Sequence, residues 1–185
     1  MLQRLTDDLI QLSKLESDQF SFQFAEVSAV RFFEIMTEKQ KATVEARGIR
    51  FYQTISQKLV NKKPKFIGDI ERMDQVFDNL ISNAVKFTKQ DGEISISCDL
   101  DSSHKQIIFE VRDSGRGIAE KDLPFIFETY FKGERVKADD KEGSGLGLSI
   151  VKEIIKGHQG DIFVESKEGK GSLFTIVVPL YIQED

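Results

Sequence analysis

Two pairs of alternating segments constrain the fold of this chain more than any other feature. GEISISCDL (residues 92–100) and KQIIFEVRDS (105–114) each alternate apolar and polar residues on either side of DSSH. GDIFVES (160–166) and GSLFTIVVPL (171–180) do the same around EGKG. A period of two is the pattern of a strand with one covered face, and a short turn between two such runs makes an antiparallel hairpin. Between the hairpins and before them lie segments with helical period, RMDQVFDNLISNAVKFTK (72–89) and GLGLSIVKEIIKGH (145–158). Hairpins with helices grouped between them predict an α+β two-layer sandwich: a mixed, mostly antiparallel sheet covered on one face by helices, not a doubly wound parallel sheet.

Shorter signals fill in the rest. FSFQFAEVS reads as a strand with Phe20, Phe22 and Phe24 on one face, and residues 28–47 as an amphipathic helix closed by Gly48. IRFYQTI reads as a strand, and a short strand or turn leads through Pro64 to Asp69, a residue suited to cap the helix that follows. At the start, Leu2, Leu5, Leu9, Leu12 and Leu15 recur at spacings of three and four. That seam suits either a bundle helix awaiting a partner or a helix docked on the main domain. Residues 118–142 show little periodicity beyond the apolar LPFIFETYF, and a segment that long predicts a lid. A net charge of −5 and a pI near 5.2 argue against a nucleic-acid surface. The single Cys98 fits a reducing compartment, and no apolar run approaches the ~20 residues of a membrane span. A soluble domain, or a soluble piece of something larger without membrane contact, is expected.

The helix at 72–89 carries an oddity. Met73, Phe77, Leu80, Ile81 and Ala84 share one face, while Arg72, Gln75, Asn79, Asn83 and Lys86 form a wholly polar stripe beside it. Asparagine is a poor helix former because its side chain competes for backbone hydrogen bonds. The stripe is either a solvated face or the wall of a cleft offering amide oxygens to a hard cation and an ammonium to an anion. Two glycine clusters bracket the lid: DSGRGI (113–118) after a strand and GSGLGLS (143–149) opening a helix. Amides at such a helix N-terminus favour phosphate. The glycine spacing does not match G-x-G-x-x-G, and neither a P-loop nor the H-R-D and D-F-G elements of protein kinases occur.

The combination is more specific than its parts. Asn79-x-x-x-Asn83-x-x-Lys86-Phe87, Asp113-x-Gly115-x-Gly117, LPFIFETYF, G-x-G-L-G-L and GKGSLF follow one another in order. Over roughly residues 20–180 this series resembles the ATP-binding domain of bacterial sensor histidine kinases, in the gyrase, MutL and histidine-kinase ATPase superfamily. DDLIQLSKLES likewise resembles the end of such a kinase's second dimerisation helix, which divides the chain into 1–19 and a catalytic domain of 20–185 with its lid at about 118–142. The resemblance implies ATP and Mg²⁺ as ligands, with Asn83 as the metal ligand and, together with Lys86, a catalytic residue. Asn79 stands where gyrase-type ATPases have a water-activating glutamate, and Phe87 would pack on adenine. Asp113 would accept from the adenine amino group, with Ser172 nearby. Gly115, Gly117 and Ile118 would approach the base and begin the lid. Gly143, Gly145, Leu146, Gly147 and Leu148 would line the phosphate end. Lys132 stands where relatives often carry an arginine for the γ-phosphate, but lacks its guanidinium fork.

A histidine to phosphorylate is missing from this series. His104 lies in the DSSH turn, and His158 at the end of its helix suits a partly cationic ring against the dipole. Neither stands in the H-E-[LIF]-[RK]-[TN]-P context of the family's phosphoacceptor. The resemblance therefore implies a cytoplasmic, C-terminal piece of a homodimeric parent, with or without a membrane anchor, whose acceptor helix precedes Met1 and whose partner downstream is a response regulator. Two functions stand side by side: transfer of the γ-phosphoryl of MgATP to a histidine supplied elsewhere, or a nucleotide-binding module or serine-kinase-like relative without histidine transfer.

Overall fold

Strand alternation decides which residues meet the helices. A computed structural model describes residues 21–103, 105–133 and 144–181. The elements are β1 (Ala25–Ser28), α1 (Ala29–Glu45), β2 (Arg50–Ile55), α2 (Gln57–Lys62), β3 (Lys65–Gly68), α3 (Ile70–Phe87), β4 (Glu93–Leu100), β5 (Gln106–Asp113), a 3₁₀ turn (Leu123–Phe125), α4 (Gly147–Gly157), β6 (Asp161–Lys167) and β7 (Gly171–Pro179). The main sheet runs β2-β4-β5-β7-β6, with β2 parallel to β4 and every other pair antiparallel. β1 and β3 make a separate antiparallel pair. The expected α+β architecture is borne out. No helix among the described residues is long and apolar enough to cross a membrane.

One face of the sheet carries Ile94, Ile96, Cys98 and Leu100 from β4, Ile107, Phe109 and Val111 from β5, and Phe174, Ile176 and Val178 from β7, all buried. Against it pack Met73, Val76, Phe77, Leu80, Ile81 and Ala84 of α3 and Ile150, Val151, Ile154 and Ile155 of α4. The predicted α3 stripe is confirmed and gains Val76. At the centre, Phe77 and Phe109 meet edge to face with centroids 5.5 Å apart, flanked by Phe32 and Phe66. Such geometry is favoured by the ring quadrupoles and fixes how the helical layer seats on the sheet.

Three expectations change. The strand at FSFQFAEVS shrinks to Ala25–Ser28, because its partner β3 has only four residues to pair with. Phe22 and Phe24 still share a side, stacked at 5.1 Å, but they sit on His158. The stretch after IRFYQTI forms the short helix α2, begun by the Ser56 hydroxyl accepting from Leu59 N and stopped by Lys63 in the left-handed region. With one buried residue, Leu59, it has too little stripe for periodicity to reveal. Part of the expected lid is also packed: Ile126 is buried in the core. The leucine seam and the rest of the lid, 134–142, lie outside the described residues.

His158 departs from the cationic role expected of it. It is 3% exposed; Nδ1 donates to Ile154 O at 2.7 Å while Nε2 accepts from Asp69 N at 2.9 Å. An imidazolium has no acceptor nitrogen, so the Asp69 amide requires the neutral ring. Burial lowers its pKa, outweighing the hydrogen bond it donates to Ile154 O and the charge of Asp69. Asp69 also caps α3 through Arg72 N at 3.1 Å and accepts from Gln23 N at 2.8 Å. This one junction ties the end of α4, the start of α3 and the entry to β1. Because the folded pKa lies below the free value of 6.5, the unfolded chain binds more protons near that pH. The stabilisation is complete above about 6.5 and is lost as pH falls through it. Thermal midpoints should therefore drop between pH 7.5 and 5.5, and His158→Gln should flatten that slope while lowering the midpoint at pH 7.5. An unchanged slope would show that the histidine is not the titrating group.

Candidate functional site

Asp113 is the fourth residue in the row that begins Ile107, Phe109, Val111, so strand period places a carboxylate on the helix-covered face. It is 8% exposed and stands opposite Ser172 on β7. Its Oδ1 accepts from Gly115 N at 2.8 Å, and Ser172 adds backbone and hydroxyl hydrogen bonds. Ser166 lies within 3.0 Å of the Ser172 hydroxyl and 2.8 Å of Gly171 O, so its one proton serves either acceptor. Ser166 in turn accepts from Ile118 N at 2.8 Å. The start of the lid is thus wired to the carboxylate through two hydroxyls. Burial raises the Asp113 pKa above its ordinary value, and the Gly115 and Ser172 bonds only partly oppose this.

Glycines make this corner buildable. A Cβ at Gly115 would lie 2.6 Å from Phe87 O, and Gly117, at φ +69°, is closed in by Lys167 O. These contacts lay the DSGRG turn directly across the C-terminus of α3. Midway along α3, the N-terminus of α4 comes down beside the asparagine stripe: a Cβ at Gly147 would sit 3.2 Å from Asn79 Oδ1. Gly145, at φ +76°, abuts the backbone of Tyr130 and Phe131. Among the described residues no side chain caps α4, whose first turn can therefore offer amides to a ligand; Leu146 N is taken by Ser144 Oγ at 3.2 Å. Leu146 is buried in the core, whereas Leu148 only packs against it.

The polar stripe of α3 is half-buried at Arg72, Gln75, Asn79 and Asn83 and exposed at Lys86. Half-burial beside an uncapped helix end favours the cleft wall over the solvated face. Truncating Asn83 to Ala changes helix propensity by at most ~0.7 kcal/mol, against ~3–5 kcal/mol for emptying a core site such as Phe77. Truncating Asn83 should therefore cost the fold little. Two neutral amides one turn apart suit a hard dication only when anionic oxygens come with the ligand. Among the described residues no group of three or more His, Cys, Asp or Glu could hold a metal.

Most residues singled out from sequence thus lie along α3: Asn79 with Gly147 at its middle, and Phe87, Asp113, Gly115, Gly117, Ile118 and Ser172 at its C-terminal end. Lys132 is described but has no hydrogen bond or ion pair to place it there, while Gly143 and His104 lie outside the described residues. Two contributors had been missed. Ser166 had no local signal, since only the β6–β7 register brings it to Ser172. Arg116 was visible between two glycines, but its position over Phe87, with Cζ 4.2 Å from the ring centroid, is tertiary.

Residues 68–182 match the family described as histidine kinase-, DNA gyrase B-, and HSP90-like ATPase. Over 176 residues the chain is 32% identical to the sensor histidine kinase WalK of Bacillus subtilis (strain 168), covering 95% of this chain and 28% of that protein. It is 33% identical over 178 residues to the sensor protein SrrB of Staphylococcus aureus (strain MRSA252), covering 96% and 29%. The chain thus spans under a third of the length of these curated relatives. Among solved structures, the nucleotide-free catalytic domain of the histidine kinase ThkA is similar with TM-score 0.69 at 27% identity, covering 85% of this chain and 98% of that one. Full-length ShkA in complex with AMPPNP gives TM-score 0.83 over 100% of this chain and 37% of its own, at 24% identity, a likeness of fold.

An ionised carboxylate whose folded pKa is raised destabilises the fold at neutral pH, and that penalty vanishes as pH falls through the raised pKa. Asp113→Asn should accordingly raise the thermal midpoint of the ligand-free domain at pH 7 and raise it less at pH 4. A lowered midpoint at pH 7 would identify Asp113 as a structural group.

Proposed function

The chain belongs to the histidine kinase-, DNA gyrase B-, and HSP90-like ATPase family, and from that membership we propose that it is the ATP-binding catalytic domain of a sensor histidine kinase. In this reading it passes the γ-phosphoryl of MgATP to a histidine on a dimerisation helix, for relay to a response regulator. The observation that carries it is the approach of Gly147, at an uncapped helix N-terminus, to Asn79 Oδ1 on the asparagine stripe. An amide oxygen beside a helix N-terminus suits a phosphate–cation pair.

The chain's residues divide the work by chemistry. Asp113 accepts from the exocyclic amino group of adenine, and Phe87 offers an apolar wall to the base. Asn83 donates a neutral oxygen to the magnesium, with Asn79 beside it. Lys86 and the amides of Gly145 and Gly147 meet phosphate charge. The bound magnesium supplies charge neutralisation on the transferring group. Asn79, as an amide, has no basic carboxylate with which to activate water, which favours keeping ATP intact for an imidazole acceptor. His158 is buried and bonded at both ring nitrogens, so it is not itself the acceptor.

The test supplies the missing half. Mixed with a separately produced dimerisation domain and γ-labelled MgATP, the domain should place acid-labile, base-stable label on that partner and none on itself. Asn83→Ala should keep the wild-type thermal midpoint yet nearly abolish transfer. Acid-stable label would point to a hydroxyl acceptor, and label on His104 or His158 would overturn transfer in trans.

A further inference from the structure

Arg116 is held unusually well for a residue between two glycines. Its backbone N donates to Phe87 O at 3.3 Å, and its carbonyl accepts from Gly169 N at 2.7 Å, clamping the turn between the end of α3 and the β6–β7 hairpin. Its guanidinium lies over the Phe87 ring at 4.2 Å. Lys86 Nζ is 5.1 Å from the same centroid, so two cations address one ring. Yet Arg116 Nη2 is buried without a hydrogen-bond partner among the described residues. A structural arginine normally has its buried N–H groups paired, because leaving one unmade costs stability. This side chain is placed for the ring, not for an acceptor.

We propose that Arg116 is a positioning residue for base recognition, acting through Phe87. The inference rests on the nucleotide site proposed above. Phe87 is the last residue of α3, where the helix ends and rotamer restraint from neighbouring turns is weakest. The guanidinium stacked on it holds the ring at a fixed tilt, so the base meets a preformed wall instead of ordering one. The backbone clamp sets the guanidinium in the same frame as Gly115 N, which holds the Asp113 carboxylate. The wall and the hydrogen-bonding edge of the base pocket thereby move as one piece.

The experiment compares adenosine with MgATP on the wild-type domain, Arg116→Met, Arg116→Lys, Phe87→Leu and the Arg116→Met/Phe87→Leu double variant, by titration with thermal midpoints measured alongside. Arg116→Met keeps the apolar stem, so its midpoint should equal or exceed that of wild type. Its affinities for adenosine and MgATP should fall by the same factor, roughly 3- to 10-fold for a partly buried cation–π contact. Arg116→Lys should recover part of the loss, and the double variant should bind no worse than Phe87→Leu alone. In the ligand-free protein, the Arg116 δ-proton resonances should lie upfield and move downfield in Phe87→Leu. Wild-type affinity in Arg116→Met would overturn the role, and so would additive losses in the double variant. A fall for MgATP with adenosine unaffected would overturn it too, by assigning Arg116 to phosphate. Failure of the wild-type domain to bind MgATP at all would instead sink the nucleotide site on which this role depends.

Discussion

A carboxylate on the covered face of a sheet is the constraint on which the rest of this structure turns. The row Ile107, Phe109, Val111, Asp113 obeys one alternation, and three of its members are core residues that cannot be turned outward without emptying the interior. Asp113 is carried inward with them. Burying a charge is unfavourable, and the burial shows in its raised pKa. The protein partly offsets it with donors that only close backbone approach makes available: Gly115 N from the turn and Ser172 across the ladder. The need for Gly115 and Gly117 follows, because any side chain there would collide with Phe87 O or Lys167 O.

The same logic runs along α3. Its core stripe seats the helix through the Phe77–Phe109 contact, and that seating fixes the azimuth of the polar stripe. Asn79 is therefore delivered to the N-terminus of α4, and the helix end delivers Phe87 to the DSGRG turn. The junction of His158, Asp69 and Gln23 holds the two helices together at their other ends. Core packing sets position, and the polar groups inherit it. This is why substitutions in the stripe should separate binding from folding.

Much of this was legible in the sequence because it rests on short-range periodicity. The hairpins 92–114 and 160–180, the α3 stripe and the Asp69 cap all come from patterns of two or 3.6 residues. The order of Asn79, Asn83, Asp113, Gly115 and Gly147 along the chain carried the resemblance to the family. What escaped depends on distant register or on short elements. Ser166 reaches Ser172 only through β6–β7 pairing, and Arg116 reaches Phe87 only once the turn is laid across α3. α2 has a single buried residue, and the neutral state of His158 follows from an amide 89 residues away in sequence.

The central claim is that a buried carboxylate held by Gly115 and Ser172 reads the exocyclic amino group of adenine. Calorimetric titration of the domain with MgATP and with MgITP tests it most directly, since the two nucleotides share every phosphate and sugar contact and differ at that position of the base. An inosine carbonyl would set two acceptors against each other in a site with little water to relieve them, so MgITP should bind between roughly tenfold and a hundredfold more weakly. Equal affinities would contradict the account, because they would mean that Asp113 does not face the base.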